Sequence, residues 1–326
     1  MNKKTCKILL LTFGILIAWQ SVIAKAVYDF DGDGKTDPAV VRGENGKLMW
    51  YILQSNNGFI AHQWGENVLG TEDKAVPEDY DGDGKWDVAV WRRHITEEGQ
   101  SYFYILYSSS NTYQVIPWGS RYDYVVPQDY DGDGKADVAV FRPTEGVWYI
   151  LQSRDGFRAE RFGGGTFFDT PVSGDYDGDG KADLAVYRRD TEIFRADLTF
   201  YIRRSSDGGL IVDKFGYLQA DIVTPGDYDG DGKTDVAVWR GRSEYGNGIW
   251  YWHRSSDGAY GQIRWGLVLT PDYPVQGDYD GDGKTDVAVW RNQVNGVQSY
   301  FYINESTNGF KAIQWGMIGD GPARQY

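Results

Sequence analysis

The feature that most constrains this chain is a nonapeptide, Asp-aromatic-Asp-Gly-Asp-Gly-Lys-x-Asp, present six times. It begins at Asp29, Asp79, Asp129, Asp175, Asp227 and Asp278, at intervals of 50, 50, 46, 52 and 51 residues. A period of this size marks one supersecondary unit repeated, each copy burying its apolar face against the next. The same features follow every copy in the same order. An apolar run ends at Arg42, Arg92, Arg142, Arg188, Arg240 or Arg291. An aromatic run comes next, as in Trp50-Tyr51-Ile52-Leu53 or Phe301-Tyr302-Ile303. Last comes an aromatic-Gly pair, as in Trp64-Gly65 or Trp315-Gly316.

These segments predict strands, being short, rich in Val, Ile, Trp and Tyr, and bounded by Gly, Asn, Asp and Ser. Asn57-Gly58, Asp155-Gly156, Asp207-Gly208, Asp257-Gly258 and Asn308-Gly309 supply the positive φ of a tight hairpin turn. No helical period of useful length follows residue 24. Each unit therefore reads as four strands: one entering the nonapeptide, one leaving it, the aromatic strand, and one ending at aromatic-Gly. Four-stranded units in tandem predict an all-β fold, a β-propeller of six blades. The units fall at about 25–73, 74–124, 125–170, 171–222, 223–273 and 274–326. Consecutive apolar residues, as in Val88-Ala89-Val90-Trp91, predict strands covered on both faces. Pro322 to Tyr326 resemble one more entering strand; we read them as closing the ring, with a seventh blade as the alternative.

Residues 1–24 are expected to be a secretory signal. Lys3, Lys4 and Lys7 precede an apolar run from Ile8 to Trp19, and Val22-Ile23-Ala24 offers a cleavage site after Ala24. The run is too short to span a bilayer comfortably, so a soluble product outside the cytoplasm is expected. Cys6, the single cysteine, would leave with the signal, which excludes a disulfide scaffold. The 13 Trp, 24 Tyr and 14 Phe exclude disorder.

The chain carries a formal charge of −14. That balance disfavours nucleic acid, whose phosphates need clustered Lys and Arg. The nonapeptides account for the acidity: four Asp and one Lys in each of six copies give −18. Carboxylates at positions 1, 3, 5 and 9 of a tight loop converge, and they repel unless a cation lies between them. Hard oxygen donors in this number select calcium, with up to six ions expected. The proposed ligands are Asp29, Asp31, Asp33 and Asp37 in the first copy and Asp79, Asp81, Asp83 and Asp87 in the second. Asp129, Asp131, Asp133 and Asp137 serve the third, and Asp175, Asp177, Asp179 and Asp183 the fourth. Asp227, Asp229, Asp231 and Asp235 serve the fifth, and Asp278, Asp280, Asp282 and Asp286 the sixth. Lys35, Lys85, Lys135, Lys181, Lys233 and Lys284 are expected to offer backbone carbonyls and leave their ammonium groups in solvent.

Two look-alikes fail. An EF-hand needs a bidentate Glu at position 12, where this chain has Val40, Val90, Val140, Val186, Val238 and Val289. A P-loop needs Gly where Asp227 and Asp278 stand.

The repeat Asp-Tyr-Asp-Gly-Asp-Gly-Lys-x-Asp-Val-Ala-Val-Trp-Arg resembles the FG-GAP/VCBS family, whose integrin α-subunit members form calcium-bearing propellers. The resemblance covers Lys25 to Tyr326. It implies that each loop joins the first two strands of a blade and binds one calcium ion through the Asp set above. Family members include adhesion receptors, lectins and modules attached to enzymes, so the resemblance implies a scaffold more firmly than a ligand.

The expected function is a monomeric, non-catalytic recognition or adhesion module whose partner is an extracellular glycan or protein. The alternative is a secreted polysaccharide lyase or hydrolase. His62, His94 and His253 occupy non-equivalent places in their repeats, and no nucleophile-elbow or zinc-helix motif is present. Loops after the Arg vary in length, including Arg92 to Gln100, Arg188 to Leu198 and Arg240 to Gly248, and variation on one face suggests a binding face. The six Arg are read as structural, pairing with a carboxylate or stacking on an aromatic of the neighbouring blade, rather than as an anion-binding ring.

Overall fold

A computed structural model describes residues 26–68, 73–164, 169–189, 197–217, 221–241, 246–267, 272–292 and 298–323. The proposed signal, and residues 190–196 and 242–245 of the variable loops after Arg188 and Arg240, lie outside them. Six four-stranded antiparallel sheets form a ring. The first blade holds β1 (Ala39–Glu44), β2 (Lys47–Gln54) and β3 (Gly58–Glu66). The second holds β4 (Lys74–Ala75), β5 (Val88–Arg92), β6 (Tyr102–Leu106) and β7 (Tyr113–Pro117). The third holds β8 (Tyr124–Val125), β9 (Val138–Arg142), β10 (Val147–Gln152) and β11 (Gly156–Arg161). The fourth holds β12 (Asp169–Pro171), β13 (Leu184–Arg189), β14 (Asp197–Arg203) and β15 (Leu210–Tyr217). The fifth holds β16 (Asp221–Val223), β17 (Val236–Arg240), β18 (Asn247–His253) and β19 (Tyr260–Leu267). The sixth holds β20 (Asp272–Pro274), β21 (Val287–Arg291), β22 (Gln298–Glu305) and β23 (Gly309–Met317).

The fourth strand of the first blade is β24 (Asp320–Pro322), which pairs with Val40, Val41 and Arg42. The ring thus closes at six blades, but through Asp320–Pro322; of the segment expected to close it, Pro322 lies in the strand and residues 324–326 lie outside the described residues. Among the described residues no helix is long and apolar enough to cross a membrane.

Each blade is covered on both sides. Val88, Ala89, Val90 and Trp91 are all buried, and the same run is buried in the third, fifth and sixth blades. The apolar residues form six clusters, one per blade junction. In the junction of the first two blades, Trp50 and Ile52 pack with Trp86, Val88 and Val90. The indole, aliphatic and ring surfaces removed from water there supply the stabilisation, at about 25 cal/mol per Å².

Three details differ from the sequence reading. The turns after the aromatic strand are wider than two-residue hairpins: Gln54 pairs with Gly58, so Ser55, Asn56 and Asn57 all lie in the loop. Gly58 does carry the positive φ, +81°, while the second blade uses Asn111 at +53°. The extra loop residues are needed to reach the nonapeptide, as described below. The six Arg each find an aromatic partner within their own blade, and Arg240 lies over Tyr217 of the preceding blade as well, 4.7 Å from its ring centre.

Candidate metal centre

In the second to sixth blades the nonapeptide loop joins the first strand to the second, and in the first blade it leads into β1; its shape follows from its own hydrogen bonds. The first Asp accepts from the backbone that curls around it. Asp29 Oδ1 takes the Gly32 N–H at 2.7 Å, and Oδ2 takes the Gly34 N–H at 2.8 Å. Gly32 and Gly34 have φ of +79° and +84°, a conformation that favours glycine. The same pair of glycines occupies these places in all six loops.

The ninth residue is buried in every copy and fixes the loop to its blade. Oδ2 of Asp37, Asp87, Asp137, Asp183, Asp235 and Asp286 accepts the N–H of the loop's second residue at 2.8–3.0 Å. Oδ1 of each accepts the N–H of Ser55, Ser108, Ser153, Ser205, Ser255 or Ser306 at 2.6–2.7 Å. The hydroxyl of the same serine donates to the fifth-position Asp, as from Ser55 to Asp33 at 2.7 Å and from Ser255 to Asp231 at 2.9 Å. The aromatic hairpin therefore folds down onto the acidic loop. Sequence reasoning missed these serines. The signal was present, since each stands three residues before the positive-φ Gly or Asn of its turn.

The loop brings the first and third Asp together with a further carboxylate. Oxygens of Asp79, Asp81 and Asp87 lie within 4.8 Å of one another, as do those of Asp129, Asp131 and Asp137. Asp175, Asp177 and Asp183 make the same group in the fourth blade, and Asp227, Asp229 and Asp235 in the fifth. In the first blade the group is Asp29, Asp31 and Asp33. Burial pushes Asp37, Asp87 and Asp286 up to about 7, and the nearby third-position carboxylates Asp31, Asp81 and Asp280 add to the push. Asp137, Asp183 and Asp235 rise to about 6 for the same reasons. Desolvated anions held this close destabilise one another.

Oδ1 of Asp31, Asp131 and Asp280 is buried without a hydrogen-bond partner. An orphan carboxylate oxygen is costly, and here each belongs to the third-position Asp of an acidic loop. Carboxylate oxygens, some lacking any N–H donor, are the donor set of a hard divalent cation, so the residues fit calcium.

The lysines do more than the sequence suggested. A Cβ built on Gly82 would meet Lys135 Cγ at 2.9 Å, and one on Gly281 would meet Lys35 Cγ at 3.2 Å. Each Lys stem thus lies over the fourth-position Gly of the preceding blade's loop. The next residue adds a backbone bond in the same direction. Trp86 N–H donates to Asp29 O at 2.8 Å, and Thr36 N–H donates to Asp278 O at 2.6 Å. Six such bonds of 2.6–2.8 Å link the acidic loops into a closed circle.

The six Arg are consumed by the fold. Arg92 holds Asp73 through two bonds of 2.7 and 2.8 Å, and its guanidinium lies 4.6 Å from the centre of the Tyr104 ring. Arg142, Arg188, Arg240 and Arg291 repeat the arrangement with Asp123, Asp169, Asp221 and Asp272, stacking on Tyr149, Tyr201, Tyr251 and Tyr302. Arg42 takes Asp320 from the closing strand and stacks on Tyr51. These Asp side chains are at most 1% exposed while their Arg partners are 16–37% exposed, so removing an Arg would leave a buried carboxylate unpaired. Their signal was an Asp six residues before five of the nonapeptides.

Comparison with known proteins agrees with this architecture. A search among curated proteins gives no match. Among solved structures, AofleA from Arthrobotrys oligospora superposes with a TM-score of 0.52 at 11% identity, covering 92% of this chain and 90% of that one. A triple arginine-to-alanine mutant of AofleA gives 0.52 at 13% identity with the same coverage. The β-propeller domain of the Trilobed protease from Pyrococcus furiosus gives 0.43 at 13% identity, covering 88% of this chain and 91% of that one. At these identities the likeness to AofleA speaks to the fold alone. The model of the FG-GAP-like repeat matches residues 29–90, 129–186 and 227–289, more than half of the chain. With its six acidic loops, five of them joining two strands of a blade and the first leading into β1, the chain belongs to the FG-GAP-like repeat family.

Proposed function

We propose that this chain is an exported, calcium-bearing propeller that recognises an extracellular ligand, carbohydrate being the first candidate, without catalysing a reaction on it. The observation that carries the calcium part is the set of buried third-position oxygens without hydrogen-bond partners, each in a loop of carboxylates; Arg154 lies 3.9 Å from that of Asp131, and those of Asp31 and Asp280 have no hydrogen-bond partner. Asp at positions 1, 3, 5 and 9, with the Lys carbonyl at position 7, would hold the ion. Calcium supplies positive charge where the fold has gathered desolvated carboxylates, and a ligand that binds only the folded form stabilises it. The residues' own part is to keep the oxygens together: Gly at positions 4 and 6 curves the loop, and the serine closes it.

Recognition rather than turnover is supported by how the charged side chains are used. The repeated Arg and their Asp partners hold strands together, and the repeated Asp and Ser hold loops. His253 bridges two blades, with Nδ1 2.7 Å from Asp213 and Nε2 3.0 Å from the Gly258 carbonyl. The test is a glycan array probed with the calcium-loaded protein and with the chelated one, followed by incubation with each retained glycan. Retention in calcium, loss in chelator and an unaltered glycan are expected. Release of shortened or unsaturated products would overturn the non-catalytic reading.

A further inference from the structure

The outer strand of every blade begins with an exposed apolar residue. Phe59, Tyr113, Phe157, Leu210, Tyr260 and Phe310 are 56–72% exposed. Each stands five residues before the Trp or Phe of its aromatic-Gly pair. An odd separation places the two on opposite faces of the strand, so one leans toward the preceding blade and the other toward the following one. Rings consequently meet across five of the six junctions. The centroid distances are 5.3 Å for Phe59–Trp315, 5.7 Å for Tyr113–Trp64 and 5.9 Å for Phe157–Trp118. They are 5.8 Å for Phe310–Trp265 and 5.9 Å for Tyr260–Phe215.

Four of these pairs cross at 57–69°, and the outer ring of each stays 56–67% exposed, Phe59 stacking on Tyr51 as well. The Trp in each pair is held in place, its indole N–H donating to a backbone carbonyl of the next blade at 3.0–3.1 Å. At the fifth junction Tyr260 lies nearly parallel to both Phe215 and His253, at 12° and 13°.

We propose that these rim aromatics are stacking platforms for sugar rings, repeated around the circumference so that one propeller holds a polymeric or clustered glycan at several points. The proposal rests on the recognition reading above and assigns it a place. A sugar's apolar face of C–H groups packs on an aromatic face, while its hydroxyls need polar groups nearby. Those are present. On the same strand face, four residues and about 13 Å further on, the exposed side chains Gln63, Arg161, Arg264 and Gln314 accompany Phe59, Phe157, Tyr260 and Phe310, whereas Tyr113 has Pro117 at that position. Between platform and donor three of these strands carry Ala61, Ala159 and Ala312, which leaves the surface open, and the fifth blade carries Gln262. A protein partner would need a continuous patch of about 800 Å² on this side, whereas these are single rings separated by polar residues. Weak individual sites gain by linkage, because the second contact of one polymer is intramolecular.

The alternative, that the rings merely clasp adjacent blades, is separable. Leu210 occupies this position in the fourth blade, so an aliphatic side chain is compatible with the fold there. Phe59→Leu, Tyr113→Leu, Phe157→Leu, Tyr260→Leu and Phe310→Leu would keep apolar packing and remove the aromatic faces. The calcium-loaded full chain and the five-fold Leu variant are each incubated with microcrystalline cellulose, chitin beads and insoluble xylan, with melting curves run in parallel. Retention of the parent on at least one polymer, lowered at least tenfold in the variant, is expected, with both proteins melting cooperatively. If the five-fold variant does not fold, the Tyr113→Leu/Phe157→Leu and Tyr260→Leu/Phe310→Leu pairs are read the same way, with at least a threefold loss each. Equal retention of parent and variants overturns the rim assignment and leaves recognition standing. No retention of the parent on any polymer also overturns it. Retention with breakdown of the polymer overturns the non-catalytic reading without touching the rim, provided the Leu variants still lose binding.

Discussion

At the residue scale the decisive group is the ninth-position Asp. Asp87 is fully buried, accepts two backbone N–H bonds and faces the carboxylate of Asp81, and its pKa rises to about 7. A carboxyl whose folded pKa lies above its unfolded value near 3.8 binds more protons when folded. Stability then falls as pH rises between those two values, unless a cation replaces the proton. In excess chelator the protein is therefore expected to melt higher at pH 5 than at pH 7.5. The rise in melting temperature produced by calcium should shrink over the same interval, because protons and calcium compete for the same oxygens. Equal chelator melts at the two pH values would contradict this account of the ninth position. The four Asp of each loop were legible in the sequence, because their chemistry is local. The serines and the Arg-paired Asp were not read, because their partners lie about twenty residues away and only the folded blade brings them together.

At the element scale the acidic loop and the aromatic hairpin form one unit, and each unit is tied to the next. The strands were legible from composition and spacing, since each is a short run bounded by Gly, Asn, Asp or Ser. The turn was not: Asn57-Gly58 suggests a two-residue hairpin, yet Ser55 must reach both Asp37 and Asp33, and that requires a wider loop. Loop-to-loop contact adds a consequence for calcium. Ala182 N–H donates to Asp129 O at 2.7 Å, and Ala136 N–H donates to Asp79 O at 2.8 Å, so the third loop is joined to both neighbours. Asp131→Asn should therefore cost more than one ion. Calorimetric titration is expected to show the loss of one site and at least a threefold weakening of two others. Loss of one site with five unchanged would mean that the loops act independently.

At the scale of the whole molecule, six junction cores and a closing strand make a ring without free ends. Asp320 supplies the Arg42 partner that the first repeat lacks, so the C-terminal segment completes both a sheet and a series of ion pairs. The six-fold count was legible because the nonapeptide marks every blade. The order of closure was only partly so, since Asp320–Pro322 is three residues long and carries no motif of its own. The chain's formal charge of −14 now has a location: it resides in six loops around one end of the ring. The central claim is that calcium holds those loops. Each site filled at a hundred times its dissociation constant contributes about 2.7 kcal/mol to the folded state, and six act together. The most direct test is the melting temperature of the protein in excess calcium and in excess chelator at pH 7.5. A fall of at least about 15 °C on chelation is expected; a melt unchanged within about 2 °C would contradict the account.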